Sequence, residues 1–253
     1  MKFALKSVVA AAAFVMAGAA SAAAVTVTPS DTYKGLTATG TGELKFSDAL
    51  LEALDVGQIA ITPYGSLAGA VIDNSLGYYT DVRAKANITS LTIDDATDEV
   101  LRASTTGGLT QTAEFLRSVT TGGSLTVTDL NVDLVGKKVF ATIIGGNGVG
   151  TLTNFHLWNI GNIAGPTTVA GAGTYVTTLS QLSITQAGFD TFVQSLGLLS
   201  LGRGALQTVT DFGVITSTIT ATAVTPAIPE PSTYALMGLG LVGIALAARR
   251  RAK

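Results

Sequence analysis

The stretch LTVTDLNVDLVGKKVFATII, residues 125–144, decides how the chain is expected to fold. Leu125-Thr126-Val127-Thr128 and Val139-Phe140-Ala141-Thr142-Ile143-Ile144 are short runs rich in β-branched residues, parted by a segment of Asp, Asn, Gly and Lys. Alternation of apolar residues with threonine has the two-residue period of a strand with one buried and one wet face. A polar connection between two such runs predicts successive strands.

Working outward, the same pattern recurs at Val25-Thr26-Val27-Thr28 and at Ile88-Thr89-Ser90-Leu91-Thr92-Ile93, again between Gly, Asn and Asp clusters. Many short strands with few helices predict an all-β fold, either a sandwich or an open barrel. Two segments depart from the pattern. Residues 47–54, SDALLEAL, begin with a Ser/Asp cap, and residues 185–196, TQAGFDTFVQSL, put Ala187, Phe189, Phe192, Val193 and Leu196 on nearly one side. Both are expected to be short helices covering sheet edges or barrel ends.

The ends of the chain differ in kind from this body. Lys2 and Lys6, the apolar run from Val8 to Ala17, and Ala20-Ser21-Ala22 form the three parts of a secretory signal peptide over residues 1–22, with cleavage set by the small residues Ala20 and Ala22. That assigns signal peptidase and the secretion machinery as partners. At the other end, Pro229-Glu230-Pro231 leads into an uncharged run, Tyr234 to Ala248, which stops at Arg249, Arg250, Arg251 and Lys253. Each proline fixes its own φ and extends the residue before it, so the triplet is a stiff, non-helical peptide. Fifteen uncharged residues fall short of the roughly 20 that usually cross a bilayer. Adding Ser232 and Thr233 and letting the arginine stems snorkel makes a transmembrane helix over about 232–248 the expectation, basic end in the cytoplasm and body outside.

The domain plan is therefore a signal peptide at 1–22, an extracytoplasmic β domain at 23–220, an Ala/Thr/Pro linker at 221–228, and the tail at 229–253. Between the ends, nine Lys and Arg stand against 16 Asp and Glu, a balance near −7 that argues against nucleic acid as a partner. The chain has no cysteine, which excludes disulfides and thiolate metal sites.

Residues able to carry chemistry are few. His156, the single histidine, lies in Asn154-Phe155-His156-Leu157-Trp158-Asn159 with no G-x-S-x-G motif in the chain, so it reads as a hydrogen-bonded strand residue rather than a general base. Asp94, Asp95, Asp98 and Glu99 could offer oxygens to calcium, but without EF-hand spacing they read as a solvated hairpin turn. Gly145-Gly146-Asn147-Gly148-Val149-Gly150 precedes a strand-like segment instead of a helix, so a hairpin connection is expected and not a phosphate cradle. No catalytic residue, metal ligand or cofactor is assigned, and the chain is not expected to be an enzyme.

Two resemblances add to this. Pro229-Glu230-Pro231-Ser232-Thr233, a short Leu/Gly/Ala/Val span and the arginine cluster resemble the PEP-CTERM sorting signal of Gram-negative envelope proteins. The resemblance implies that exosortase recognises the Pro-Glu-Pro signal and processes the tail at the inner membrane, with Pro229, Glu230, Pro231, Arg249, Arg250 and Arg251 as the signal residues. It implies a protein exported, held by its tail, and sorted to the cell envelope or surface. Separately, GGLTQT at 107–112, the segment 123–143 and TYVTTLSQLSITQAGFDTFVQSLG at 174–197 resemble the strand plan of HtaA-type haem-binding domains. Tyrosine and histidine are expected to matter in that family; Tyr64, Tyr175 and His156 share no motif with it, and no role is carried across. The function expected from the sequence is a structural or adhesive component of the extracellular matrix, with matrix polysaccharide as a partner. The alternative is an extracytoplasmic domain that binds haem, calcium or a glycan.

Overall fold

A computed structural model describes residues 23–224, 236–242 and 244. The signal peptide with Ala20 and Ala22, and the signal residues Pro229, Glu230, Pro231, Arg249, Arg250 and Arg251, lie outside the described residues.

Thirteen strands and three helices follow one another through residues 24–223. They are β1 (Ala24–Val27), β2 (Thr32–Tyr33), β3 (Leu36–Phe46), α1 (Asp48–Val56), β4 (Ala60–Tyr64), β5 (Leu67–Asp73), β6 (Asp81–Asp94), β7 (Val100–Thr105), β8 (Gly108–Ala113), β9 (Gly123–Asp133), β10 (Lys138–Gly145), β11 (Gly150–Ala164), β12 (Gly173–Ile184), α2 (Gln186–Ser195), α3 (Ser200–Gln207) and β13 (Gly213–Ala223). Every ladder is antiparallel. Following the pairs β6–β3–β13–β12–β11–β10–β9–β7 and back to β6 closes a ring of eight strands. Of the two architectures expected from the sequence, the barrel is the one formed, and it is closed rather than open.

Closure depends on β7, which bonds β6 through Val100–Thr105 and β9 through Arg102–Ser104. It spans only half the barrel's height. In the other half β6 pairs with β5 and β9 pairs with β8, which carries β4 at its outer edge. Pro63 is tolerated in β4 because an edge strand has a free side that needs no N–H. Where Gly108 enters β8 a side chain would strike the Val127 carbonyl, so the close approach of β8 to β9 requires glycine there.

The alternation in residues 125–144 points inward as expected. Val139, Ala141 and Ile143 are buried, Phe140 and Thr142 face outward, and Leu125, Val127 and Val132 of β9 join the interior. Both expected helices form, α1 capped by Ser47 Oγ accepting from Leu50 N at 3.1 Å and α2 by Thr185 Oγ1 accepting from Gly188 N at 2.9 Å. The third helix, α3, was not anticipated: it contains Gly202 and Gly204, and its N-cap Leu199 offers no side-chain hydrogen bond. The three helices plug one end of the barrel, where Leu50, Leu54, Phe192 and Leu206 join the main core.

The opposite end is closed without helices. There the loop 165–172 turns back on the β6–β7 hairpin, with Val100 N donating to Thr167 O at 2.8 Å and Val169 N to Asp98 O at 3.0 Å. A second, smaller core of Val27, Ile88, Ile93, Val100, Val169 and Ile219 lies beneath it. The body also runs past its expected limit: Ala221, Thr222 and Ala223, assigned to the linker, are the last rungs of β13 opposite Ala38, Thr37 and Leu36. Their Ala/Thr composition suits a strand on the barrel wall as well as a spacer. Among the described residues, no helix is long and apolar enough to cross a membrane; residues 236–242 and 244 are helical, with Leu236, Met237, Leu239 and Ile244 exposed.

Candidate functional site

Small residues on the inner face of one wall leave the barrel incompletely filled. Gly42 of β3, Ala84 and Ala86 of β6 and Ala103 of β7 face the interior, where an eight-stranded barrel needs large side chains to close its centre. The result is a cavity of about 70 Å³ lying between the two cores. Its lining is mostly aliphatic and aromatic, with Gln111, Ser217 and three threonines among the polar residues, and no lining side chain is charged. Beyond it, among the plug helices, lies a void of about 20 Å³.

Two polar atoms in this apolar space have no partner. Gln111, on the inner face of β8 between Leu109 and Ala113, is 2% exposed, and its side-chain oxygen makes no hydrogen bond. Trp158, opposite Val139 and Ile184, is buried, and its indole N–H also has no acceptor. Leaving a buried donor or acceptor unmade costs about 1–3 kcal/mol. Both residues line the cavity, and an acceptor and a donor left unpaired there are what a bound molecule would satisfy. Trp158 is held by Phe212, with ring centroids 6.3 Å apart, and Phe212 meets Phe192 of α2 edge-on at 6.2 Å. The plug thus fixes the indole.

At the far end the lining passes to Pro166, Thr167 and Val169, the loop that closes the barrel. Thr177 Oγ1 donates to Pro166 O at 2.6 Å, and Tyr175 OH donates to Gly171 O at 2.8 Å while accepting from Gly171 N at 3.1 Å.

The residues singled out from the sequence do not converge here. His156 sits on β11 with its ring 5.3 Å from Phe140, outside the cavity lining. It is the strand residue expected, but its Nε2 is buried without a hydrogen-bond partner, which the sequence reading did not foresee. Tyr64 is exposed on edge strand β4, and of the three only Tyr175 touches the cavity, with its hydroxyl committed to the loop.

The acidic run forms the expected hairpin turn. Asp94 Oδ1 accepts from Ala96 N at 2.8 Å, and Asp98 Oδ1 accepts from Lys34 Nζ at 2.7 Å and from Tyr33 OH at 3.0 Å. The Lys34 and Tyr33 bonds hold the Asp98 carboxyl below its ordinary range, and the Asp98 bond holds the Lys34 ammonium above its own. Among the described residues no group of three or more His, Asp or Glu is placed to hold a metal. The glycine-rich segment is the β10–β11 hairpin as expected, and it is docked: Asn147 Nδ2 donates to Gly122 O at 2.9 Å and to Ser195 O at 3.1 Å.

Gln111 is the residue the sequence reading missed. In GLTQTA the alternation puts Leu109, Gln111 and Ala113 on one face, so a glutamine in the apolar phase of a strand was a visible signal.

Comparison with known proteins adds two findings. Residues 227–251 match the PEP-CTERM protein-sorting motif, so the tail carries the sorting signal expected from residues 229–253. The crystal structure of the haem-binding protein HtaB from Corynebacterium glutamicum is similar over 79% of this chain and 98% of that one, at 13% identity and a TM-score of 0.46. The faint HtaA-type resemblance of the body thus has a weak structural counterpart, too distant to bear on ligand or site. No curated protein matches the chain.

Proposed function

We propose that this is an exported binding protein whose barrel carries a small, uncharged, mostly apolar molecule, and whose tail directs it to the envelope through exosortase. The observation that supports the ligand is the cavity with its two orphaned polar atoms, Gln111 Oε1 and Trp158 Nε1. It favours the ligand-binding alternative over a structural or adhesive matrix role, which would not require a hollow interior. Haem does not suit this cavity. No imidazole or cationic side chain lines it, and the one tyrosine at its edge is bonded to Gly171.

Trp158 is the chain's single tryptophan, so its emission reports on the cavity alone. Titration with N-phenyl-1-naphthylamine should quench that emission saturably by energy transfer. Ala103→Leu, which fills the cavity from β7, should abolish the quenching while the barrel stays folded. An unsaturable response, or one indifferent to Ala103→Leu, would remove the support for a ligand. The sorting half is tested separately. Glu230→Ala, or alanines at Arg249, Arg250 and Arg251, should leave the tail unprocessed and the protein misplaced; normal processing and destination in both variants would count against it.

A further inference from the structure

The two unpaired polar atoms lie at the plug end of the cavity, and the body joins the tail at the other end. Gln111 lies against the helix plug, lining both the main cavity and the smaller void, and Trp158 packs on Phe212 at the same end. Toward the other end the lining combines Ile88, Val100, Val169 and Ile219 with Thr167, Tyr175 and Thr177, the last two with their hydroxyls bonded to the loop 165–172. A ligand that pairs both orphaned atoms therefore places its polar group deep, and any hydrocarbon it carries extends toward the loop 165–172. A hydroxyl has the chemistry for both, since it can accept from an indole N–H and donate to an amide oxygen. A charged group is excluded by cost, because it would leave water with no counter-charge in the lining.

The same end of the barrel carries the start of the tail. Gly173, which follows the closing loop, pairs with Ala221, and β13 ends two residues later at Ala223. Ten residues, 224–233, separate Ala223 from the uncharged run that begins at Tyr234. Fully extended, ten residues span at most about 35 Å. While the tail is in the membrane, the loop-closed end is held within that distance of the bilayer.

Resting on the ligand-carrier reading above, we infer that the ligand is a neutral single-chain amphiphile with a hydroxyl-like head, taken from the bilayer and bound head first through the loop-closed end. The cavity has room for on the order of five water-sized positions, so the head and the first carbons are enclosed and the remaining chain lies along the mouth. The mouth opens when the short bridge between Glu99 and Thr168 parts. Hydrogen bonds flank that pair at Val100–Thr167 and Asp98–Val169, leaving it a non-hydrogen-bonded pair whose Cα atoms should lie about 4.5 Å apart. This separation suits a disulfide.

The test uses the full chain in phosphatidylcholine vesicles, with Trp158 emission as the readout. Decanol brominated at its second carbon should quench Trp158 more strongly than decanol brominated at its chain end. Gln111→Leu should weaken decanol binding by about tenfold without weakening decane. Ionised decanoate should bind at least about tenfold more weakly than decanol. Equal quenching by the two bromides, equal binding of decanoate, or indifference to Gln111→Leu would overturn the inference. If N-phenyl-1-naphthylamine binds and decanol does not, this inference falls and the carrier reading stands; if neither binds, both fall. For the mouth, Glu99→Cys with Thr168→Cys in this cysteine-free chain should slow uptake when oxidised and restore it when reduced. Unchanged uptake with the disulfide formed would place the mouth elsewhere.

Discussion

At one end of the barrel Phe46 and Phe212 interlock with Leu50, Leu54 and Phe192 of the plug helices; at the other, the fully buried cluster is aliphatic, with Tyr33 and Tyr175 packed against it, and the cover is a loop held by two backbone hydrogen bonds to the β6–β7 turn and by the hydroxyls of Tyr175 and Thr177. The same sheet supports both. Aromatic side chains fixed by helices make an end that opens only when the protein unfolds, whereas an aliphatic cluster under a short loop can part locally at lower cost. The contrast separates the cavity's permanent floor from its mouth.

Four measurements would sharpen or break that contrast. The largest effect belongs to the floor: Phe212→Ala, at a residue 1% exposed between two other rings, should cost about 3–5 kcal/mol in urea denaturation, and a loss below about 1 kcal/mol would mean the plug is not the main core. At the mouth, Val169→Ala removes two buried methyl groups and should cost about 1.5 kcal/mol, with amide exchange at 98–100 and 167–169 accelerating more than in the plug helices. Uniform acceleration would show that the two ends open together. Thr185→Ala should cost about 1 kcal/mol in thermal or chemical unfolding, because its hydroxyl caps α2 and also donates to His156 O at 3.0 Å; Thr185→Ser should recover most of it.

The smallest effect is one of pH. Asp98, lowered from 3.8 chiefly by Lys34, contributes stability above that value and loses it as the pH falls through its folded value. Lys34, raised from 10.5 chiefly by Asp98, contributes fully below 10.5 and loses its share only as the pH rises through its higher folded value. The clamp therefore holds from mild acid to about pH 10.5 and releases in strong acid. Lys34 is exposed and Asp98 half-buried at the surface, so the global stability should barely change. Amide protection in the 94–99 turn, taken relative to the intrinsic exchange rate at each pH, should still fall on acidification, and Lys34→Met should remove that dependence; an unaltered acid response would assign it to other groups.

What the sequence disclosed followed from local rules. The Thr alternation gave the strands, and Ser47 and Thr185 marked the two helix starts, because caps and two-residue periods are written in adjacent residues. Helix α3 was hidden by Gly202, Gly204 and the uncapped Leu199, and is held by tertiary packing of Gly202 and Leu206. Barrel closure was also hidden, since it rests on β7 meeting β6 and β9 in half the barrel while β5 and β8 take the other half. The cavity was legible only in part: Gln111 broke an apolar phase, but the solitude of its oxygen depends on neighbours from distant strands and helices. Residues 221–223 were misplaced because a spacer and a wall strand of Ala and Thr look alike.

The register of β13 has a consequence for how the protein is made. This strand lies between β3 and β12 and pairs with β3 over all of its residues, Gly213–Ala223. An exported chain emerges from its N-terminus, so β3 must wait with an unpaired edge until the last body strand has crossed the membrane. That strand is followed after three residues by the sorting motif at 227–251. Barrel completion and arrival of the tail at the membrane are thus nearly the same event, and sorting acts on a chain whose barrel has only then closed.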